Sequence, residues 1–156
     1  MVQRAKRRKP GHGAVAVIVE GGKFLVIRRS EKVRAPNLLC FAGGTIERGE
    51  TPEQAIVREL QEELNLQSRA IGHVWQSRTS WGTLLEWVVV HRKPDSQPVA
   101  NPDEVGEWFW LTGSELLSKP DLLPSVPAFY RAWAEGIFTL PDAAGRPDPA
   151  WRELDV

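Results

Sequence analysis

The segment GGTIERGETPEQAIVRELQEELNL, residues 43–66, decides how this chain folds, because it runs from a glycine-rich loop into an unusually complete helix start. Thr51 is placed to cap free amides, Pro52 suits the first helical position, and Gln54 completes a capping box, so a helix is predicted over Thr51 to Leu64. At about 100° per residue, Ile56, Leu60, Leu64 and Val57 share one sector that must face a core. Glu59, Glu62 and Glu63 fill the adjoining sector beside the small Ala55, with Glu63 at the edge of the apolar stripe. Like charges three and four apart cost a helix roughly a few tenths of a kcal/mol per pair. A bound divalent cation reverses that sign, and oxygen donors with no Cys or His among them select Mg²⁺ or Mn²⁺ over Zn²⁺. The competing reading is a plain solvated acidic face. Arg58 and the glycine-rich loop ahead of the helix weigh against it.

Working outward, His12 to Glu20 and Lys23 to Arg29 are apolar, β-branched runs separated by Gly21-Gly22, the pattern of a tight hairpin. A loop through Arg34-Ala35-Pro36-Asn37 leads to a short strand near Leu38 to Phe41. Beyond the helix, Arg69 to Ser80 and Thr83 to Arg92 read as strands joined near Trp81-Gly82. Pro94 to Pro102 is a polar loop, and Val105 to Leu111 is a further strand. Helical patterns follow at Ser114 to Leu117 and from about Pro127 to Ile137. Strands outnumber helices without alternating regularly, so the expected class is α+β, a mixed sheet with helices packed on it. One domain is expected over residues 12–140, between a basic, disordered tail at 1–11 and a Pro-, Asp- and Ala-rich tail at 141–156.

The 156 residues are 42% hydrophobic and 26% charged, proportions of one globular domain long enough to bury a core. Cys40 is the single cysteine, which excludes an internal disulfide framework and a thiolate metal cluster. No apolar run is long enough to span a membrane, and Ala14 to Val19 stops at Glu20 without a cleavage site, so a cytoplasmic protein is expected. Twenty basic and twenty acidic residues cancel, but unevenly. Arg4, Lys6, Arg7, Arg8 and Lys9 put +5 on the first nine residues, leaving −5 on the rest. That balance does not point to a nucleic-acid binder.

Gly44, Glu50, Arg58-Glu59-Leu60, Glu62-Glu63 and Leu66 stand in the spacing G-x5-E-x7-R-E-U-x-E-E-x-G-U, where U is a bulky aliphatic residue. This resembles the signature of the Nudix hydrolases, with Asn65 where the family usually has Gly. Asn is the usual substitute for Gly at a left-handed helix end. The resemblance implies the Nudix fold, a mixed β-sheet sandwiched between α-helices, and a metal-dependent hydrolase splitting a diphosphate linkage in a nucleoside diphosphate derivative. By position, Glu59, Glu62 and Glu63 would bind Mg²⁺ or Mn²⁺, with the Gly43 carbonyl as a further ligand. Glu62 is the first candidate for general base. Glu104 is the second, or an additional metal ligand, against a solvated loop acid as the plain alternative. Arg58 and Glu50 would hold the loop and orient ligands. The implied partner is a small nucleoside di- or triphosphate, and the implied assembly a monomer or homodimer.

The similarity extends to Phe24 through Arg29, Asn37-Leu38, Phe41-Ala42-Gly43-Gly44 and Glu50 through Ala55, which look like the MutT-type nucleoside triphosphate pyrophosphohydrolases. In that subfamily the positions of Arg29 and Phe41 line the nucleotide pocket. Ala42 replaces the usual Pro. Ser125 falls where the guanine-reading Asn would stand, and one hydroxyl reads a base edge poorly, which argues against oxidised-guanine specificity. Trp81-Gly82-Thr83 carries neither the Pro marker of ADP-ribose hydrolases nor the Tyr marker of dinucleoside polyphosphate hydrolases. The alternatives are a hydrolase of another diphosphate such as ADP-ribose, or a nucleotide-sensing domain without catalysis, which retention of all the glutamates disfavours. Most of the seven tryptophans read as core, with Trp75, Trp81 and Trp87 on strands expected to flank a base pocket. His12, His73 and His91 are read as makers of structural hydrogen bonds, and Cys40 as a buried apolar residue.

Overall fold

The computed structural model describes residues 11–140, so the tails expected at 1–11 and 141–156 lie outside it apart from Gly11. In chain order the elements are β1 (His12–Val17), β2 (Val19–Glu20), β3 (Lys23–Arg29), β4 (Leu39–Cys40), β5 (Gly43–Thr45), α1 (Pro52–Leu64), β6 (Ser68–Arg78), β7 (Leu84–Arg92), β8 (Val105–Leu111), α2 (Gly113–Leu117) and α3 (Ser125–Ala134).

A four-stranded mixed sheet runs β5-β1-β7-β6. β1 lies parallel to β7 and antiparallel to β5, while β6 returns antiparallel along β7. β1 is buried on both faces after His12, whereas β6 alternates half-buried and exposed residues apart from Val74-Trp75, as a strand with one solvated face does. In the second sheet β2 and β4 pair with successive parts of one edge of β3, and β8 pairs with its other edge.

Successive strand residues point to opposite faces, and this places the helices. Ala14, aligned with Gly44 and with Glu86, shares the face over which α1 lies, since a β-carbon on Gly44 would meet the Glu59 carboxylate. Ile56, Leu60 and Leu64 are fully buried there. On the opposite face, Trp87 stacks on Phe129 of α3 with ring centroids 4.7 Å apart, and Phe41 meets both rings edge-on. Phe24 and Tyr130 continue this aromatic core towards the second sheet. The mixed sheet is thus covered by a helix on each side, as expected of the α+β class.

Three local readings are corrected. The runs on either side of Gly21-Gly22 form a hairpin only at Val19–Glu20 against Lys23–Phe24. The chain turns out of line at Ile18, so β1 joins the mixed sheet and β2 the other, an exchange that local pattern does not encode. The glycine-rich loop forms a short strand, β5, because its backbone pairs with β1 across residues too small to be read as strand. The last helix begins at Ser125, two residues early, and ends at Ala134.

Candidate active site

Thr51 caps α1 in the geometry its sequence implies: its side chain accepts from the Gln54 amide at 3.1 Å, and Gln54 accepts from the Thr51 amide at 3.0 Å. At the other end Asn65 is left-handed, with φ 48°. The helix therefore starts and stops so that Arg58, Glu59, Glu62 and Glu63 sit beside β5.

Arg58 organises the cluster. Its Nε and Nη2 donate to the two carboxylate oxygens of Glu50, each at 2.8 Å, and Nη2 also donates to the Thr45 carbonyl at 2.9 Å. Its Nη1 reaches Glu59 at 3.0 Å and Glu62 at 3.4 Å. The guanidinium, together with the Glu47 amide, holds the Glu50 carboxyl down at about 2. The same ion pairs push Arg58 further above its ordinary range. This fork-to-fork pairing ties the loop after β5 to the helix.

Glu59 and Glu63 are buried, while Glu62 is half exposed. Burial raises Glu59 against the pull of Arg58. Glu63 is raised much further, by burial and then by the charges of Glu59 and Glu104. Gly43 and Gly44 make this approach possible: a β-carbon on Gly43 would strike the Ala14 carbonyl, and one on Gly44 the Glu59 carboxylate.

Glu104 is brought in by the 93–104 loop, which is tied at both ends. Amides of Val99 and Asn101 donate to the Leu64 and Glu63 carbonyls at 2.7 and 2.8 Å, and the Asn65 side chain donates to the Val99 carbonyl at 2.9 Å. The Ser30 amide donates to the Glu104 carbonyl at 3.1 Å beside the end of β3. Glu104 Oε2 is buried there and has no hydrogen-bond partner among the described residues. An orphaned carboxylate oxygen next to two crowded buried carboxylates is unfavourable unless a cation joins them. The donors are all hard oxygens, so the set fits a divalent cation such as Mg²⁺ or Mn²⁺. As they stand, no three acidic or His/Cys groups among the described residues converge closely enough to share one ion, and Glu59 and Glu62 both lean on Arg58.

Beside this cluster, on the face of the sheet away from α1, lies a cleft of about 700 Å³. Arg29, Phe41 and Ser125 all line it, together with Gly43 and Gly44, and Gly44 is the residue that cleft and Glu59 carboxylate share. Arg29 Nε donates to the Arg34 carbonyl at 2.7 Å. Its charge acts on both Glu63 and Cys40, and burial pushes the Cys40 thiol up to about 11 despite it. That is an inert thiol, not a nucleophile. Of the tryptophans singled out, Trp75 and Trp87 pack on each other in the core, and Trp81 stands at the cleft.

Sequence reasoning missed two features. Asn101, whose side chain donates to the Glu62 carbonyl at 3.3 Å, secures the Glu104 loop through backbone groups that leave no pattern. Buried Glu86 gathers His12, His73 and Gln76, partners scattered over 65 residues of chain and united only by strand register. Of the histidines expected to make structural hydrogen bonds, His12 and His73 do so, and both converge on this one carboxylate.

Residues 7–133 match the NUDIX domain family model. Among curated relatives, the chain is 35% identical over 98 residues to the 8-oxo-dGTP diphosphatase of Escherichia coli, covering 60% of this chain and 74% of that protein. It is 28% identical over 112 residues to the CTP pyrophosphohydrolase of the same organism, covering 72% and 83%. Among solved structures, the solution structure of the E. coli ORF135 protein superposes with a TM-score of 0.61 at 27% identity, covering 90% of this chain and all of that one. The chain belongs to the NUDIX family and is a hydrolase.

Proposed function

We propose that the protein is a Mg²⁺- or Mn²⁺-dependent nucleoside triphosphate pyrophosphohydrolase of the MutT type, releasing a nucleoside monophosphate and pyrophosphate. The observation that carries this reading is the glycine common to both sites: a cleft of nucleotide size is lined by Gly43 and Gly44, and the Glu59 carboxylate packs against Gly44, which has no side chain to hold the two apart. A base and sugar in the cleft would leave the phosphates at the acidic end, beside Arg29.

Glu59, Glu62 and Glu63, with the Gly43 carbonyl and Glu104, are the residues that would hold the cations. Bound there, the cations would supply charge neutralisation on the phosphates and acidify a coordinated water. Glu62 is the exposed member of the set and accepts the proton of the attacking water. The water oxygen bonds to one phosphorus of the α–β linkage and that phosphorus's bond to the bridging oxygen breaks, the electron pair leaving on the bridging oxygen, so that monophosphate and pyrophosphate separate. Arg58 and Glu50 keep the loop and the helix in register while this happens. Arg29 supplies positive charge to a substrate phosphate.

Glu62→Gln should lower turnover by about two orders of magnitude or more, since an amide neither takes a proton nor balances a cation. Pyrophosphate release is measured with Mg²⁺ and with Mn²⁺, alongside the melting temperature. Wild-type turnover in that variant removes Glu62 from the chemistry. A substrate panel of nucleoside triphosphates, ADP-ribose and diadenosine polyphosphates tests the substrate class, and a preference for either of the last two refutes the triphosphate reading.

A further inference from the structure

A pocket recognises a base by its edges or by its faces. Edge reading uses paired donors and acceptors, which in side chains means amides, carboxylates or a guanidinium. No Asn, Gln, Asp or Glu lines the cleft among the described residues. His12 lines it, but its imidazole turns to Glu86 on the other side of the sheet. Hydroxyls remain, and that of Thr79 is already engaged by the Thr83 amide at 2.9 Å. The guanidinia present, Arg29 and Arg34, pair more strongly with phosphate oxygens than with a neutral base. The rest of the surface is apolar: Val15, Ile27, Phe41, Leu85 and Leu123.

Face reading has a candidate at the rim. Trp81 is 60% exposed, the one Trp, Phe or Tyr ring among the described residues left exposed. Its turn is not loose. The Thr79 amide donates to the Thr83 carbonyl at 2.8 Å, the Gly82 amide to the Thr79 carbonyl at 3.0 Å, and Gly82 takes a φ of +91° that suits glycine alone. A large apolar ring held out in water on a rigid turn, at the mouth of an apolar cleft, lacks one face of contacts that a planar ligand would supply.

Resting on the reading of this cleft as a nucleotide pocket, we infer that Trp81 stacks on the substrate base and that the enzyme takes nucleoside triphosphates with little regard to which base they carry. Apolar pockets discriminate weakly, by about 10- to 200-fold at most, whereas buried edge-reading groups reject a wrong partner by roughly 10⁴ or more. This cleft has the first kind of lining.

Steady-state kinetics with Mg²⁺ on ATP, GTP, CTP and UTP test both halves. The wild-type kcat/KM values should agree within about tenfold across the four. Trp81→Ala should raise KM about tenfold for every base with kcat within about twofold, and Trp81→Phe should recover most of that loss. An unchanged KM in Trp81→Ala overturns the stacking role. A preference of more than about a hundredfold for one base overturns the permissive pocket. If the wild type hydrolyses none of the four, the proposed function fails, and calorimetry with imidodiphosphate analogues then decides the stacking role: equal affinity of wild type and Trp81→Ala overturns it, and a loss specific to the alanine variant supports it.

Discussion

Two adjacent glycines do different work, and a methyl group separates them. A β-carbon on Gly43 meets the Ala14 carbonyl, a backbone atom of the neighbouring strand, whereas one on Gly44 meets the far end of the Glu59 side chain. Gly43→Ala must spread β5 from β1, and should cost about 1–3 kcal/mol of stability, as overpacking does. Gly44→Ala can be accommodated by swinging the Glu59 carboxylate aside, so its melting temperature should stay near that of the wild type while turnover falls at least about tenfold, the size of one displaced catalytic contact. Thermal melts and turnover on the same two variants check the contrast. An active, stable Gly44→Ala protein would detach Glu59 from the chemistry. Spacing alone marks Gly44 as a member of the motif, yet the reason a side chain is forbidden there is a contact with a residue on the following helix, which spacing does not reveal. Asn65 is the opposite case, since its left-handed backbone follows from position alone and is found at φ 48°.

Among the elements, α1 was legible almost to the residue because its signals are local: a capping box, a proline, an apolar stripe and a left-handed stop. Strand pairing was not, because register is a property of two segments at once. Glu86 on β7 shows this. Parallel pairing with β1 and antiparallel pairing with β6 bring His12, His73 and Gln76 to one buried carboxylate. Burial alone would raise the Glu86 carboxyl, but hydrogen bonds from Gln76, His73 and His12 outweigh it and hold it below its ordinary value. A depressed folded-state pKa means that the unfolded chain takes up its proton first as pH falls. Glu86 therefore stabilises the fold above about pH 4.5 and loses that contribution as pH drops through the lower folded value. Melting temperatures between about pH 7 and pH 3 should fall less steeply for Glu86→Gln than for the wild type, since the amide keeps a partner for Gln76 but does not titrate. Parallel curves would show that the histidine-bearing strands draw no stability from this charge.

For the molecule as a whole, the even balance of acids and bases conceals an uneven distribution. Residues 47–63 carry six acids against Arg48 and Arg58, a net −4, and Glu59 of this segment packs against Gly44 at the edge of the cleft. A polyanionic substrate is repelled from that edge unless cations first invert the local field. The buried pair Glu59 and Glu63, with the orphaned oxygen of Glu104, is an unfavourable arrangement that a bound cation would relieve, so under the proposed function binding should appear as stability and not only as rate. A ligand at about 100 times its Kd stabilises the folded state by about 2.7 kcal/mol. Mn²⁺ titrated into chelator-treated protein without nucleotide should therefore raise the melting temperature by several degrees, and pyrophosphohydrolase activity should vanish without added metal. Glu59→Gln and Glu63→Gln should both lose the metal-induced rise, because each replaces a carboxylate with an amide that cannot balance a cation's charge. A rise that persists in both variants would locate the ion away from α1, and with it the chemistry proposed beside the cleft.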